Sequence, residues 1–196
     1  MQSPSAREIT PPPGAYTLGS EELLRVWFAN QQLNIVCGQL DDVGHIGLML
    51  ADLGRHAARV FADQKVMPAK SGLKAIRVKL AKVSGAPDPT VADTEGVFVV
   101  TPQPVFRQLP LPQSLLRDPG AGEVIRVWRC GGKIEMVLLG IWDKPDNWGI
   151  LLSDLCRLLA HAQRRPDITP TAIRSWMIRE WDAPTDKGST NRARRH

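Results

Sequence analysis

The sequence predicts an α+β protein of two ββαα repeats related by a pseudo-twofold axis, whose antiparallel hairpins carry helices packed on one face. Two observations lead to this fold class. The stretch that begins at Glu22 is repeated from Glu123, so that Arg25-Val26-Trp27 returns as Arg126-Val127-Trp128. Within each copy the apolar spacing changes from every second residue to every third or fourth, which is typical of strands followed by helices.

Length and composition predict a globular, cytoplasmic protein. The 196 residues are 43% hydrophobic and 23% charged, with neither a membrane-spanning run nor a secretory signal. The three cysteines, Cys37, Cys130 and Cys156, form no CxxC pair and indicate buried thiols in a reducing compartment. Of the net charge of +5, four charges belong to the last ten residues, so the folded part is close to neutral.

The repeat divides the chain into five segments. These are an extended N-terminal segment (1–14), the first ββαα repeat (15–88), a linker (89–108), the second ββαα repeat (109–186) and a disordered basic tail (187–196). The linker includes the Pro-, Gly- and Asp-containing run that follows the first repeat. The run "VFVV" at Val97 predicts one additional strand.

Each repeat opens with a hairpin. Gly131-Gly132 predicts a two-residue turn with positive φ, which sets Val127 opposite Met136 and Ile125 opposite Leu138. In the first repeat Asn30-Gln31 takes the turn, and the same register pairs Val26 with Ile35 and Leu24 with Cys37. Side chains alternate along a strand, so the arginines and tryptophans of the repeated Arg-Val-Trp lie on the other face.

Two helices follow in each repeat. The first has an apolar stripe in both copies, Ile46, Met49, Leu50, Leu53, Ala57 and Val60 in one and Trp148, Leu151, Leu152, Leu155, Leu159 and Ala162 in the other. Asp146-Asn147 supplies the N-cap of the second copy's first helix. Its last helix begins at Thr169, with Pro170 in the first helical position.

A second row on the first helices contains only small residues. It consists of Gly47, Ala51, Gly54 and Ala58 in one copy and Gly149, Ser153, Cys156 and Ala160 in the other. Glycine inside a helix costs roughly 1 kcal/mol relative to alanine, so another backbone is expected to approach closely. We predict that these two helices pack on each other, small face to small face; close packing of helix on sheet is the alternative.

The second repeat carries a recognisable pattern, "LPxP…EVxRVW…GxWDxP…WGILLxDLxR…IR…WxxPTD", between Leu109 and Asp186. It resembles a family of short bacterial proteins known as domain of unknown function 5076. The first repeat is a more distant copy, with Asp41-Asp42 and Ile46-Gly47 where the pattern has Trp-Asp and Trp-Gly. The resemblance implies two fused copies, and it brings no activity, cofactor or catalytic residue. Since a single ββαα copy would need a partner to bury its surfaces, we infer that the fused pair is in effect a homodimer made covalent.

The sequence offers no catalytic residue, metal site or cofactor site. The glycines at Gly120 lead into a strand, whereas a phosphate-binding loop must open a helix. Asp41, Asp42 and His45 precede a helix and are interpreted as a helix cap rather than metal ligands.

The candidate binding residues are those that the two copies share or that enrich the second copy in tryptophan: Arg25, Trp27, Arg126, Trp128, Trp142 and Trp148. The candidate structural pairs are Asp52 with Arg55 and Asp154 with Arg157, three apart on a helix. The shared arginine and tryptophan either grip a partner or hold the fold together. We favour the second role, in which Arg126 is buried and paired with an acid such as Asp154.

Three functions remain open. The first is a non-enzymatic protein-interaction module, a fused pseudo-dimer that is monomeric in solution. The second is a nucleic-acid-binding accessory protein that uses the basic helix 70–82 and the C-terminal tail. The third is a small-molecule site in the tryptophan-rich second repeat.

Overall fold

The strands and the helices of the chain form two units, each of which takes elements from both repeats. The computed structural model describes residues 8–29, 32–40, 42–84, 97–101, 107–139 and 142–185. Residues 8–40 and 97–139 belong to the sheet unit, and residues 42–84 and 142–185 belong to the helical unit. The predicted Asn30-Gln31 turn, Asp41, much of the linker and the basic tail lie outside the described residues.

Five strands make up the sheet. They are β1 (Glu21–Ala29), β2 (Gln32–Cys37), β3 (Val97–Val99), β4 (Gly122–Cys130) and β5 (Lys133–Leu138), in the order β3-β2-β1-β4-β5. All neighbours are antiparallel except β2 and β3, which are parallel. The additional strand predicted at Val97 is therefore present, at the edge next to β2.

The two hairpins have the predicted register. Ile125 lies opposite Leu138 and Val127 opposite Met136, around a turn in which Gly131 and Gly132 have φ of 54° and 78°. Most L-residues avoid this left-handed region, which is why two glycines occupy the turn. In the first hairpin Leu24 pairs with Cys37 and Val26 with Ile35, as predicted.

Both faces of the two central strands are buried. The apolar residues of one face are buried. The repeated residues of the other face are also at most 2% exposed, namely Arg25, Trp27, Arg126 and Trp128. Parts of the chain that precede each hairpin lie on this second face, including a 3-10 turn (Pro13–Tyr16) and a short helix, α3 (Gln113–Arg117).

Four longer helices form the helical unit: α1 (Val43–Asp63), α2 (Ala69–Ser84), α4 (Pro145–Gln163) and α5 (Pro170–Asp182). Asp42 caps α1 by accepting from the backbone N–H of Gly44, and Thr169 caps α5 as predicted. The predicted cap of α4 at Asp146-Asn147 is wrong. The helix begins at Pro145, since proline suits the first turn, where a backbone N–H has no intrahelical partner.

The predicted contact between the two small-residue rows is also wrong. Gly47 of α1 lies against α5 and Gly149 of α4 lies against α2, the last helix of the other repeat in each case, whereas Ala58 lies against Gly72 of α2 in its own repeat. A Cβ at Gly149 in α4 would lie 2.7 Å from Ile76 O and 2.9 Å from Leu80 N of α2, and one at Gly47 in α1 would overlap Trp176 of α5. The glycines therefore admit a neighbouring helix, as expected, but Gly47 and Gly149 meet side chains and backbone of the other copy's last helix and not the other small-residue row.

None of the helices within the described ranges has the length and hydrophobicity needed to cross a bilayer.

Candidate functional site

The arginines and glutamates at the centre of the sheet form one buried cluster, which we call the Arg–Glu cluster: Glu22, Arg25, Glu123 and Arg126. Arg25 lies directly opposite Arg126 on the paired strands β1 and β4. Arg25 Nε donates to Glu123 Oε1 at 2.6 Å, and Arg126 Nε donates to Glu22 Oε1 at 2.7 Å. Each arginine thus pairs with a glutamate of the other repeat, and all four residues are at most 1% exposed.

Two backbone segments complete the cluster. The N–H of Ile9 donates to Glu123 Oε2 at 2.7 Å, and the N–H of Leu109 donates to Glu22 Oε2 at 2.8 Å. The carbonyls of the same two residues accept from the arginines: Ile9 O from Arg126 Nη1 and Leu109 O from Arg25 Nη1. Buried charges persist only when they are paired and hydrogen-bonded in this way, so the cluster ties both segments to the sheet.

Burial and charge act on this cluster in opposite directions. Burial raises the pKa of Glu123, and the hydrogen bond from Arg25 opposes that rise. Burial lowers the pKa of Arg25, but the hydrogen bond and attraction to Glu123, together with Glu22 and Glu8, outweigh burial and raise the pKa overall. Charge-assisted hydrogen bonds of this kind hold a geometry in place.

The two repeats differ in what the Nη2 atom of each cluster arginine contacts. Arg25 Nη2 donates to Glu8 Oε2 at 2.7 Å. Arg126 Nη2 is buried and has no hydrogen-bond partner among the described residues. Within the described residues, the Nη2 donor is therefore hydrogen-bonded in the first repeat and has no acceptor in the second.

The two shared tryptophans differ in what covers them. Each arginine lies over the ring two residues further on, with Arg25 Cζ 5.3 Å from the Trp27 centroid and Arg126 Cζ 5.7 Å from that of Trp128. Trp27 is covered by an apolar cluster: Ala29, Val36, Leu109, Leu115 and Ala121, with Phe98, Val100 and Leu111 at its border. Among the described residues, the buried cluster around Trp128 adds just Ala15 and Cys130.

The thinner cover leaves an open cleft of about 390 Å³ on the second repeat's side of the sheet. Arg126 and Trp128 line it, together with Glu8, Ile9, Tyr16 and Gln108 among others. The indole N–H of Trp128 is buried and has no partner among the described residues. Two unpaired donors thus belong to the lining of one cleft.

Trp142 and Trp148 belong to the helical unit, not to the unit that holds this cleft. Their rings pack edge to face, with centroids 5.1 Å apart and planes at 89°, and Trp148 is 1% exposed. This geometry is typical of an aromatic pair in a core.

The four residues proposed as structural pairs lie on α1 and α4. Arg55 Nη1 donates to Asp52 Oδ1 at 2.9 Å and Arg55 Nη2 donates to Glu180 O of α5, while Arg157 donates to Asp154. Burial raises the pKa of Asp52 against the effect of Arg55. The suggested acid for Arg126, Asp154, is wrong: its partner is Glu22, which the opposite strand presents on the same face.

Two basic side chains of helix α2 form ion pairs with acidic residues of the helical unit. Arg77 Nη1 lies 2.8 Å from Asp182 Oδ1, and Lys79 Nζ lies 3.8 Å from Asp146 Oδ2. The guanidinium of Arg77 also lies over the Trp181 ring. The other predicted contributor to nucleic-acid binding, the tail, is outside the described residues.

The glutamates of the cluster were missed by the sequence analysis. Simple alternation places Glu22 on the face opposite Arg25, since the two are three residues apart. The pairing of β1 with β4 is irregular between Glu22 and Leu24, and again at the corresponding point of β4, where Val124 is skipped. A bulge of this kind reverses the alternation and brings each glutamate to the arginine face. The repeated spacing Glu-x-x-Arg was the available signal.

Comparison with known proteins identifies the repeat. The family model "Domain of unknown function (DUF5076)" matches the chain twice, over residues 8–87 and 108–186. The two matches confirm the resemblance to this family and the presence of two tandem copies. Among curated proteins and among solved structures there is no significant match.

Proposed function

Since the chain belongs to the DUF5076 family and carries its domain twice, we propose that it is a non-enzymatic protein-interaction module. In this proposal the chain is a fused pseudo-dimer that binds an extended segment of another protein along the outer edge of β5, the end strand of the sheet as described.

The pseudo-dimer part of the proposal is supported by reciprocal contacts between the copies. The element order ββαα occurs in both copies, and β1 and β4 lie side by side at the centre of the sheet. Each cluster arginine bonds the other copy's glutamate, and each small-residue helix packs on the other copy's last helix. A pseudo-twofold axis between Arg25 and Arg126 accounts for these exchanges, as in an isologous dimer interface.

The observation that carries the binding proposal is the unequal cover of the two sheet edges. β3 pairs with β2 in parallel, with Ile35 opposite Val97, Val36 opposite Phe98 and Cys37 opposite Val99. Under the repeat, the corresponding residues of β5 are Met136, Val137 and Leu138. In the sheet as described, β5 is the end strand and pairs with β4 alone.

Apolar side chains are also more exposed at the β5 edge than at the edge covered by β3. Val36 is fully buried beside Phe98 and Val100, whereas its counterpart Val137 is only half-buried. Leu139, next along the chain, is 45% exposed. An edge strand with unpaired backbone groups and partly exposed apolar side chains is a template for strand addition.

The chain's own β3 indicates what the occupant is. We expect an extended segment parallel to β5, with an aromatic side chain opposite Val137 and β-branched side chains on either side of it. Main-chain hydrogen bonds supply the affinity in this mode, and alternate side chains supply the preference.

A non-enzymatic role is supported by the state of the reactive groups. The charges of the Arg–Glu cluster are bonded to each other and to backbone. Burial raises the pKa of Cys37 and of Cys156 to about 12, which keeps both thiols protonated and weakly nucleophilic. A nucleic-acid role is less well supported, because acids of the helical unit engage Arg77 and Lys79.

A peptide binding experiment tests the proposal. The probe is residues 95–101, EGVFVVT, with two added lysines for solubility and a fluorescent label, titrated into the full-length chain and followed by anisotropy. We expect saturable binding that is lost when aspartate replaces the phenylalanine of the peptide. Val137→Lys should weaken binding at least tenfold, whereas Phe28→Lys, which changes an exposed apolar residue of β1, should leave it intact.

Two results, one from the peptide titration and one from hydrogen exchange of the free protein, would contradict the proposal. Absence of peptide binding would contradict the proposal. So would protection of the outer β5 amides in the free protein, because that protection would mean that another part of the chain or a second copy already pairs with the edge.

A further inference from the structure

We propose that the cleft beside Arg126 and Trp128 is a second binding site, which takes an uncharged carbonyl group of the amide type. The oxygen of this group would accept from Arg126 Nη2, and the site does not depend on strand addition at β5.

The first argument is the pair of buried donors. Arg126 is 1% exposed and Trp128 is 2% exposed, and Arg126 Nη2 and Trp128 Nε1 each have no partner among the described residues. Both residues line the same cleft. Buried N–H groups are nearly always hydrogen-bonded in folded proteins, so two unpaired donors at one cleft indicate a missing acceptor.

The first repeat supplies the second argument, because it contains the filled version of the site. Arg25 Nη2 donates to a carboxylate oxygen of Glu8 at 2.7 Å. Ile9 and Leu109 make equivalent bonds to the buried glutamates, so the counterpart of Glu8 is Gln108, which lines the cleft. Gln108 does not accept from Arg126 Nη2, and the position of the acceptor is left to a ligand.

Charge decides which acceptor fits. The Arg–Glu cluster holds two cations and two anions, and Glu8, which lines the cleft, adds a third anion. A carboxylate or phosphate ligand at Arg126 would bring a fourth negative charge next to the Glu8 carboxylate. An amide or ketone oxygen accepts the same hydrogen bonds without that repulsion.

Size agrees with a small group rather than a large cofactor. A cleft of about 390 Å³ is at the lower end of the range for ligand pockets. The side chain of Tyr16, 68% exposed, contributes an aromatic surface to the lining. One capped amino-acid residue matches this space and this chemistry.

The experiment uses the ¹⁵N-labelled full-length chain and follows the indole N–H signals of Trp128 and Trp27 by NMR. The neutral probe is N-acetylglycine methylamide, and the anionic probes are acetate and inorganic phosphate at equal concentration. We expect the neutral probe to shift the Trp128 signal saturably and the Trp27 signal not at all, and the anions to leave both signals in place.

Variants separate the two donors and the charge. Trp128→Phe keeps a ring but loses the N–H, and should weaken the neutral probe severalfold, measured on backbone amides of β4. Trp27→Phe is the matched control, because Trp27 Nε1 also lacks a partner in the described part of the chain but its ring is covered by Leu109 and Leu115. Glu8→Gln removes a partly exposed charge and should allow acetate to shift the Trp128 signal.

Three results would overturn the proposal. The first is no saturable shift with the neutral probe. The second is tighter binding of acetate or phosphate to the unmodified chain, which would make this an anion site. The third is an equal response of Trp27 and Trp128, which would mean that the probe acts on the whole fold.

Discussion

The positive charge of Arg126 neutralises carboxylates inside the sheet unit, because the two glutamates nearest to it are fully buried. Glu22 and Glu123 are 0% exposed, and Arg126 Nε lies 2.7 Å from the first and 3.7 Å from the second. Taking such charges out of water is costly, and only the reciprocal pairing offsets the cost.

Arg126→Ala should therefore destabilise the protein by about 3–5 kcal/mol, since it leaves a buried glutamate without its cation. Arg129→Ala is the control on the same strand: this arginine is half exposed, pairs with Glu21 at the surface, and should change stability by less than about 0.5 kcal/mol. Urea unfolding of both variants measures the difference. An Arg126→Ala protein as stable as the unmodified chain would show that the cluster is not structural.

The two buried thiols of Cys37 and Cys156 should be unreactive in the folded protein. Burial raises the pKa of Cys37 and Cys156 from about 9 to about 12, so both remain protonated in the folded chain at pH 8.5. Iodoacetamide should modify them no faster than the chain unfolds, and promptly in urea, as mass spectrometry would show. Between pH 9 and 12 the unfolded chain loses these protons first, so each thiol lowers stability as the pH rises. Rapid modification of the folded protein would contradict this assignment.

At the scale of the elements, α2 and α4 approach each other closely enough for a single substitution at Gly149 to probe the contact. A Cβ at Gly149 would lie 2.7 Å from Ile76 O and 2.9 Å from Leu80 N, which are backbone atoms that cannot rotate away. Gly149→Ala should therefore force the helices apart and cost about 1–3 kcal/mol, despite alanine's better helix propensity.

Gly72 is the matched control, a buried glycine of α2 where an added Cβ would meet Ala58 at 3.5 Å, an ordinary contact. Gly72→Ala should be neutral or stabilising by about 0.5–1 kcal/mol. Thermal unfolding of the two variants checks the contrast. Equal effects would mean that helix propensity, not the approach of α2, decides the outcome at Gly149.

At the scale of the whole molecule, elements of one copy contact elements of the other copy in both units. β1 pairs with β4 in the sheet unit, and in the helical unit Trp181 of α5 donates its indole N–H to Ala51 O of α1. Each copy alone would expose the surfaces that the other covers, and it would leave the charges of Arg25 and Glu22 without their main partners.

We expect the full-length chain to be a monomer by light scattering, and neither fragment 1–101 nor fragment 102–196 to be a folded monomer. The fragments should be unfolded or self-associated alone and should form a folded one-to-one complex when mixed, which circular dichroism and light scattering would detect. A folded monomeric fragment would contradict the fused pseudo-dimer. A stable dimer of the full-length chain would also contradict the proposal that the outer edge of β5 is open to another protein.

Much of the fold was determined by local sequence signals. The repeat, both hairpin registers, the Gly131-Gly132 turn, the additional strand at Val97 and the apolar stripes follow from alternation, helical spacing and turn chemistry, which act between residues close in the chain. The buried arginine–tryptophan face was also visible as a repeated motif, without its partners.

The partners themselves were decided only by the tertiary structure. Glu22 reaches Arg126 because a bulge at Leu23 reverses the strand's alternation, and Gly47 and Gly149 receive α5 and α2 because each of these last helices also packs against the first helix of the other copy. The cleft at Trp128 exists because Trp27 has the cover of Phe98 and Val100 and Trp128 does not. Such features depend on contacts between residues about a hundred positions apart, and no local spacing encodes which of several similar surfaces will meet.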